Sequence, residues 1–286
     1  MEIIVGKTSG FCAGVLNAVT KTEKALDEEK EKIYCLGELV HNTQVVERLE
    51  NKGLITIENI ENADKKTIIR AHGVAKEVYE KAMEKQIELI DLTCLKVLQI
   101  HKIAEEHAKN GYYIFLVGVE NHPESIGTIS FCGNNSYLIR SKEDIAEAII
   151  KLQESQINKV YIIAQTTYSL KKFEEIVEQI QQGLDSKYEV KIKNTICAAT
   201  RLRQEETEKI SKEVDAMIIV GGKHSSNTKK LYDIAKMNCE NTISVETVKD
   251  LEIEKMKKYK TIGIMAGAST PNESVEEIKK LLLEEE

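Results

Sequence analysis

The stretch "AMIIVGGKHSSNTKKLYDIAK", Ala216 to Lys236, carries the reading of the fold. It opens on an apolar run rich in Ile and Val that does not alternate with polar residues. Such a run suits a strand buried on both faces, as in a parallel sheet with helices on either side. A small polar loop follows around Ser225-Ser226-Asn227, and then a helical stretch. Ser and Asn at that junction are N-cap residue types.

The same order of parts occurs five more times. It appears in "IYCLGELVHNTQVVERLENKG" from Ile33, "TIIRAHGVAKEVYEKAMEK" from Thr67 and, with a less clearly helical third part, "YYIFLVGVENHPESIGTI" from Tyr112. It recurs in "VYIIAQTTYSLKKFEEIVEQI" from Val160 and "TIGIMAGASTPNESVEEIKKLL" from Thr261. The helical parts space their apolar residues by three and four, as in Phe173, Ile176, Val177 and Ile180. A repeated strand–helix order predicts an α/β protein. The six units pair into three, and Cys12, Cys94 and Cys197 stand before or between the pairs. Two architectures satisfy this pattern. One is three related α/β lobes with small parallel or mixed sheets, over residues 1–95, 96–194 and 195–286, each giving one cysteine to a shared centre. The other is a single doubly wound sheet with scattered thiols.

Composition narrows the function. The 286 residues are 42% hydrophobic and 30% charged, in the range of a globular protein rather than a disordered one. No apolar run reaches the ~20 residues of a membrane span, and "MEIIVGKTSG" lacks the features of a signal peptide. These features predict a cytoplasmic protein without a membrane partner. A net charge of −7 with no long basic stripe argues against nucleic acid as a partner. It leaves room for a small anion held by backbone N–H groups and local donors.

In α/β sheets ligands sit at the carboxyl ends of strands. The six loops there hold His41, His72, His122, Glu124, Thr166, Thr167, Ser225, Ser226, Asn227 and Ser269. Neutral donors over helix N-termini suit a phosphate or diphosphate, although a Ser, Thr or Asn at a helix start is most often simply a cap. Pro123 stiffens the backbone between His122 and Glu124. A rigid His-Pro-Glu beside a phosphate site predicts general acid or base work for Glu124, against the bland role of a solvated loop carboxylate. Pro271 reads as a first-turn proline. His101 and His107, in "IHKIAEEHAKNG", read as structural or surface residues.

The six cysteines divide into two sets. Cys35, Cys132 and Cys239 lie in apolar runs or at element ends and read as buried or inert thiols. Cys12, Cys94 and Cys197 lie in "GFCAG", "DLTCLK" and "NTICAAT", each ahead of a predicted helix. A helix N-terminus lowers a thiol pKa. A nucleophile needs one such thiol, whereas three similar ones predict ligands. Three thiolates without an evident fourth partner can hold an iron–sulfur cluster with one iron open, or zinc with a water.

Taken together, "GFCAGV" (10–15), "GELVHNTQVVERL" (37–49), "RAHGV" (70–74), "DLTC" (91–94), "NHPESIGT" (121–128), "AQTTYS" (164–169), "NTICAATRLRQ" (194–204), "GGKHSSNTKKL" (221–231) and "AGASTPNESVEE" (266–277) resemble the 4-hydroxy-3-methylbut-2-enyl diphosphate reductase family, in family order and over almost the whole chain. The resemblance implies three lobes around one [4Fe–4S] cluster, held by Cys12, Cys94 and Cys197 with one iron open to the substrate's allylic oxygen. It implies proton delivery by Glu124, a hydrogen bond from Thr166 to the hydroxyl end, and a diphosphate held at His41, His72, His122, Ser225, Ser226, Asn227 and Ser269. It implies electrons from a ferredoxin or flavodoxin and products isopentenyl and dimethylallyl diphosphate. The chain departs from the family pattern at Ser9, at Leu95, where proline is usual, at Ala198, where a polar residue is frequent, and at His224. A cluster hydro-lyase without net reduction and a non-enzymatic cluster sensor of a phosphorylated metabolite are the competing readings.

Overall fold

A computed structural model describes residues 1–29 and 31–284. In chain order the elements begin β1 (Glu2–Val5), α1 (Ala13–Glu28), β2 (Ile33–Leu36), α2 (Thr43–Asn51), β3 (Leu54–Ile57), β4 (Lys66–Ile69), α3 (Lys76–Glu84), β5 (Glu88–Asp91) and α4 (Leu95–Lys109). They continue with β6 (Tyr113–Val117), α5 (Pro123–Ser130), β7 (Ser136–Ile139), α6 (Ile145–Glu154), β8 (Lys159–Ala164), α7 (Leu170–Gly183), β9 (Glu189–Ile192) and α8 (Ala198–Ser211). The last are β10 (Ala216–Val220), α9 (Ser226–Asn238), β11 (Thr242–Val245), α10 (Ile253–Met256), β12 (Thr261–Ala266) and α11 (Asn272–Leu283). All six expected strand–loop–helix units are present: β2–α2, β4–α3, β6–α5, β8–α7, β10–α9 and β12–α11.

The chain forms two compact units. One comprises Met1–Glu23, Val40–Lys52 and Ala198–Glu286 and holds a four-stranded sheet of order β1-β12-β10-β11. The other comprises Lys24–Leu39 and Gly53–Cys197 and holds two four-stranded sheets, β3-β2-β4-β5 and β7-β6-β8-β9. Every strand pair is parallel, so of the expected parallel or mixed sheets the chain builds the parallel kind.

The three sheets share one order. In each, the first two strands of a segment pair, the third lies on the other side of the first, and the fourth takes the edge. In the first unit that fourth place belongs to β1, with Glu2 opposite Thr261 and Val5 opposite Ile264. The chain therefore lends its opening strand to the sheet of its closing segment. The span 1–95 has its own sheet only from Ile33 to Asp91, and 195–286 is completed from the other end of the sequence.

The unbroken apolar runs have the expected cause. Along β6, Tyr113, Phe115 and Val117 enter one core, and Ile114 and Leu116 enter another on the opposite face. Along β10, Ala216, Ile218 and Val220 part in the same way from Met217 and Ile219. A strand has a side-chain period of two, so a sheet covered on both faces needs apolar residues at every position. Phe115 is fully buried at the centre of β6. Phe115→Ala is expected to cost about 3–5 kcal/mol, while Leu95→Ala at an exposed position stays within about 0.5 kcal/mol. Denaturant titration of both variants measures the difference.

Candidate active site

Glu124 sits at the second position of α5, in the unit that holds β2 to β9. The His122 side chain caps this helix, its Nδ1 accepting the Glu124 N–H at 3.1 Å, and Pro123 supplies the first turn. With Nδ1 an acceptor, the neutral His122 ring carries its proton on Nε2. The stiff His-Pro-Glu expected from the sequence is thus a capped helix start that turns Glu124 inward. The carboxylate is 2% exposed. Its Oε1 accepts the Thr166 N–H at 2.6 Å and its Oε2 accepts the Thr166 hydroxyl at 2.7 Å. Burial pushes the carboxyl up and the two Thr166 bonds pull it down; burial wins, leaving a pKa of about 7. A carboxyl so placed holds or releases a proton at neutral pH.

Gln165 is a residue that the sequence reading passed over. Its Oε1 accepts the Val119 N–H at 2.9 Å and the Ser125 hydroxyl at 3.5 Å, and its Nε2 donates to Thr167 Oγ1 at 2.9 Å. It ties the end of β8 to the start of α5 and so fixes Thr166 against Glu124. The one available signal was its place beside Thr166 and Thr167. In the same unit the rings of His72 and His122 meet edge to face, with centroids 5.5 Å apart. Gly73, beside His72, has φ +76°, a conformation glycine adopts without strain.

Cys94 and Cys197 occupy equivalent places in their sheets. Each follows the fourth strand, β5 or β9, and each precedes a helix, α4 or α8. The Cys94 N–H donates to Ala71 O and the Cys197 N–H to Thr166 O, both at 3.0 Å, just past the third strand of the sheet. Three residues ahead of each stands a turn-forming side chain. Asp91 Oδ1 accepts the Thr93 N–H at 2.9 Å, and Asn194 Oδ1 accepts the Ile196 N–H at 3.0 Å. The shared Asp/Asn-x-Thr/Ile-Cys spelling is therefore a shared turn.

Cys12 repeats the pattern in the other unit. It follows β1, precedes α1, and donates its N–H to Ala268 O at 3.0 Å, past β12. The first-turn N–H of Val15 points at its sulfur, at 3.5 Å. Ser9 accepts the Ala266 N–H on its hydroxyl at 3.1 Å and closes the end of β12. All three thiols are partly exposed and free of disulfides. Cys35, Cys132 and Cys239 are buried, and burial pushes the Cys132 thiol up to about 12, so it stays protonated.

The donor loops of this unit are those of β10, β12 and His41. Ser225 caps α9, its Oγ accepting the Thr228 N–H at 3.2 Å, the ordinary role of a serine there. Ser226 and Asn227 differ: Ser226 Oγ and both polar side-chain atoms of Asn227 are buried without a hydrogen-bond partner among the described residues. Unpartnered buried polar atoms are costly and mark a place for a bound group. Ser269 Oγ donates to the His41 carbonyl at 3.0 Å. A Cβ on Gly222 would lie 2.5 Å from that same carbonyl, so only glycine admits the approach. Pro271 stands at the cap position, one residue before α11, rather than within its first turn as expected, because its ψ of 146° is extended.

His101 is buried and stacked on Phe131, and burial lowers its pKa to about 4, so it is neutral. His107 bonds the Ile103 carbonyl within its own helix, and His224 is exposed. The reading of His101 and His107 as structural or surface residues fits these places.

Thr166→Val removes one of the two bonds that lower the Glu124 pKa and leaves the backbone one. The carboxyl of that variant should titrate above about 7, read from the carboxyl signal in NMR or infrared titration.

Known proteins share this sequence and fold. The sequence profile of the LytB protein family matches residues 3–283. The chain is 41% identical to the 4-hydroxy-3-methylbut-2-enyl diphosphate reductase of Caldanaerobacter subterraneus subsp. tengcongensis, covering 100% of this chain and 99% of that protein. It is 40% identical to the enzyme of the same name from Aquifex aeolicus, over 99% and 96% of the two chains. Among solved structures it resembles an (E)-4-hydroxy-3-methyl-but-2-enyl diphosphate reductase described as the terminal enzyme of the non-mevalonate pathway. That match has a TM-score of 0.70 and 40% identity, over 99% of both chains. It also resembles the diphosphate reductase from Plasmodium falciparum, with a TM-score of 0.89 and 30% identity, over 99% and 88%. With the profile running nearly from end to end and the relatives matched over their full length, the chain belongs to the LytB family of 4-hydroxy-3-methylbut-2-enyl diphosphate reductases.

Proposed function

We propose that the chain catalyses reductive dehydroxylation of (E)-4-hydroxy-3-methylbut-2-enyl diphosphate to isopentenyl and dimethylallyl diphosphates, with Glu124 as the proton donor. The substrate's hydroxyl leaves as water, and two electrons and two protons are consumed. Electrons come from a ferredoxin or flavodoxin in the cytoplasm. The reading keeps three lobes, on 1–95, 96–194 and 195–286, with β1 lent to the last.

The observation that carries the reading is the buried Glu124, with a pKa of about 7. Below that pH it holds a proton in a place shielded from bulk water. Thr166 steadies its carboxylate through two hydrogen bonds, and its hydroxyl oxygen, whose proton is given to Glu124, accepts from the substrate's hydroxyl. Protonating a hydroxyl as it departs turns a poor leaving group into water. For the diphosphate, the unpartnered atoms of Ser226 and Asn227 at the α9 N-terminus supply donors to an anion. Ser225, Ser269, His41, His72 and His122 complete the grip in this reading. Holding the diphosphate contributes proximity.

A [4Fe–4S] cluster fits Cys12, Cys94 and Cys197. They are three partly exposed thiols outside any disulfide, each hung at the same place on its sheet and each ahead of a helix. When bound, such a cluster would relay the donor's two electrons one at a time and offer a Lewis-acidic iron.

Anaerobic turnover of the hydroxylated diphosphate with a reduced dye tests the reading. Native protein should turn over. Glu124→Gln should keep substrate binding and lose about 10²–10⁴ in kcat. Full activity in that variant overturns the role of Glu124. In native protein kcat should fall as pH rises through about 7, because the required proton is lost there.

A further inference from the structure

The loop from Lys7 to Cys12 lies under α8, the helix that begins one residue after Cys197. Two charged side chains of α8, Arg203 and Glu206, stand three residues apart and so share one face. Arg203 is 4% exposed. It donates through Nη2 to the Gly10 carbonyl at 2.6 Å and through Nη1 to the Ala199 carbonyl at 3.1 Å. Glu206 accepts the Lys7 N–H on Oε1 at 2.8 Å, and the Thr8 N–H and hydroxyl on Oε2 at 2.8 and 2.5 Å. One residue therefore grips the loop by a carbonyl and the other by its amides. A buried guanidinium is tolerated only where its N–H groups are engaged, and charge-assisted bonds are the stronger kind.

The rest of the loop is held as well. Ser9 is bonded to Ala266 and Cys12 to Ala268. Gly10 has φ +93°, and a Cβ there would lie 1.8 Å from Asn272 Oδ1. The loop is thus tied at Lys7, Thr8, Ser9, Gly10 and Cys12, and α8 supplies both charged partners.

We propose that Arg203 and Glu206 are positioning residues. Acting from the helix that starts beside Cys197, they hold the Lys7–Cys12 loop in the conformation that aims the Cys12 thiol. The proposal rests on the reading of Cys12 as a cluster ligand. It assigns to α8 the task of fixing one ligand-bearing loop while being itself the continuation of another.

The test uses full-length protein purified anaerobically with its iron. Amide hydrogen exchange is followed in peptides covering 6–12, 216–220 and 262–266, and iron loss to a ferrous chelator is followed in parallel. Arg203→Gln and Glu206→Ala should speed exchange in 6–12 by at least about tenfold while the two strands stay within about twofold. Iron loss should rise by a similar factor, with Arg203→Lys and Glu206→Gln in between. Ile210→Val, a buried residue on the same helix, gauges general destabilisation. Exchange that is unchanged in 6–12, or that rises equally in the strands as with Ile210→Val, overturns the proposal. So does faster loop exchange with native iron retention. A native protein that takes up no iron refutes instead the reading of Cys12 as a ligand, and the exchange data still report on the loop.

Discussion

One hydrogen bond occurs three times in this protein, once at each of the three cysteines proposed as ligands. The N–H of Cys12, Cys94 or Cys197 donates to a main-chain carbonyl, that of Ala268, Ala71 or Thr166, just beyond the third strand of its sheet. That bond closes the gap between the edge strand and its inner neighbour at their carboxyl ends. It also brings each cysteine to the point where a new helix starts. In parallel sheets this edge is where loops and helix N-termini meet and where ligands bind. The equivalence of the three cysteines follows from repeated topology: Cys94 and Cys197 also share a turn spelling, but "GFCAG" has none of it beyond the cysteine.

Glu124 shows the opposite kind of control, a balance rather than a repeat. Two short bonds from Thr166 favour its anion, and near-complete burial favours its acid form. Either influence alone would put the proton out of use near neutrality. Gln165 keeps the two contending influences in place by bonding Val119 and Ser125 on the Glu124 side and Thr167 on the other.

The strand–loop–helix units were legible because burial on both faces writes itself as unbroken Ile/Val runs; of the expected Ser, Thr or Asn caps, α2, α7 and α9 start on Asn42, Ser169 and Ser225, whereas α3, α5 and α11 start on Ala75, His122 and Pro271. The pairing of β1 with β12 was not. "EIIV" is as apolar as any other strand, and nothing local says that its partner lies at the far end of the chain. The cysteines and His122-Pro123-Glu124 stood out by residue type and place in a loop, and the family resemblance supplied the roles proposed for them. Arg203 and Glu206 were invisible for a physical reason. Charges in the middle of "AATRLRQEETEK" look like a solvated helix face, and only the folded loop of Lys7–Gly10 gives them partners. Gln165 was hidden in the same way, since an amide at a strand end declares nothing until its three partners are in place.

The central claim is that three topologically equivalent cysteines, and not the other three, hold a cluster. Iron and acid-labile sulfide content of anaerobically purified single Cys→Ser variants tests it most directly. Native protein should carry about four irons per chain. Serine at Cys12, Cys94 or Cys197 should lower iron and sulfide sharply, and serine at Cys35, Cys132 or Cys239 should leave the iron per folded chain unchanged. Native-like iron and sulfide in any of the first three variants, or cluster loss confined to the buried set, would contradict the account.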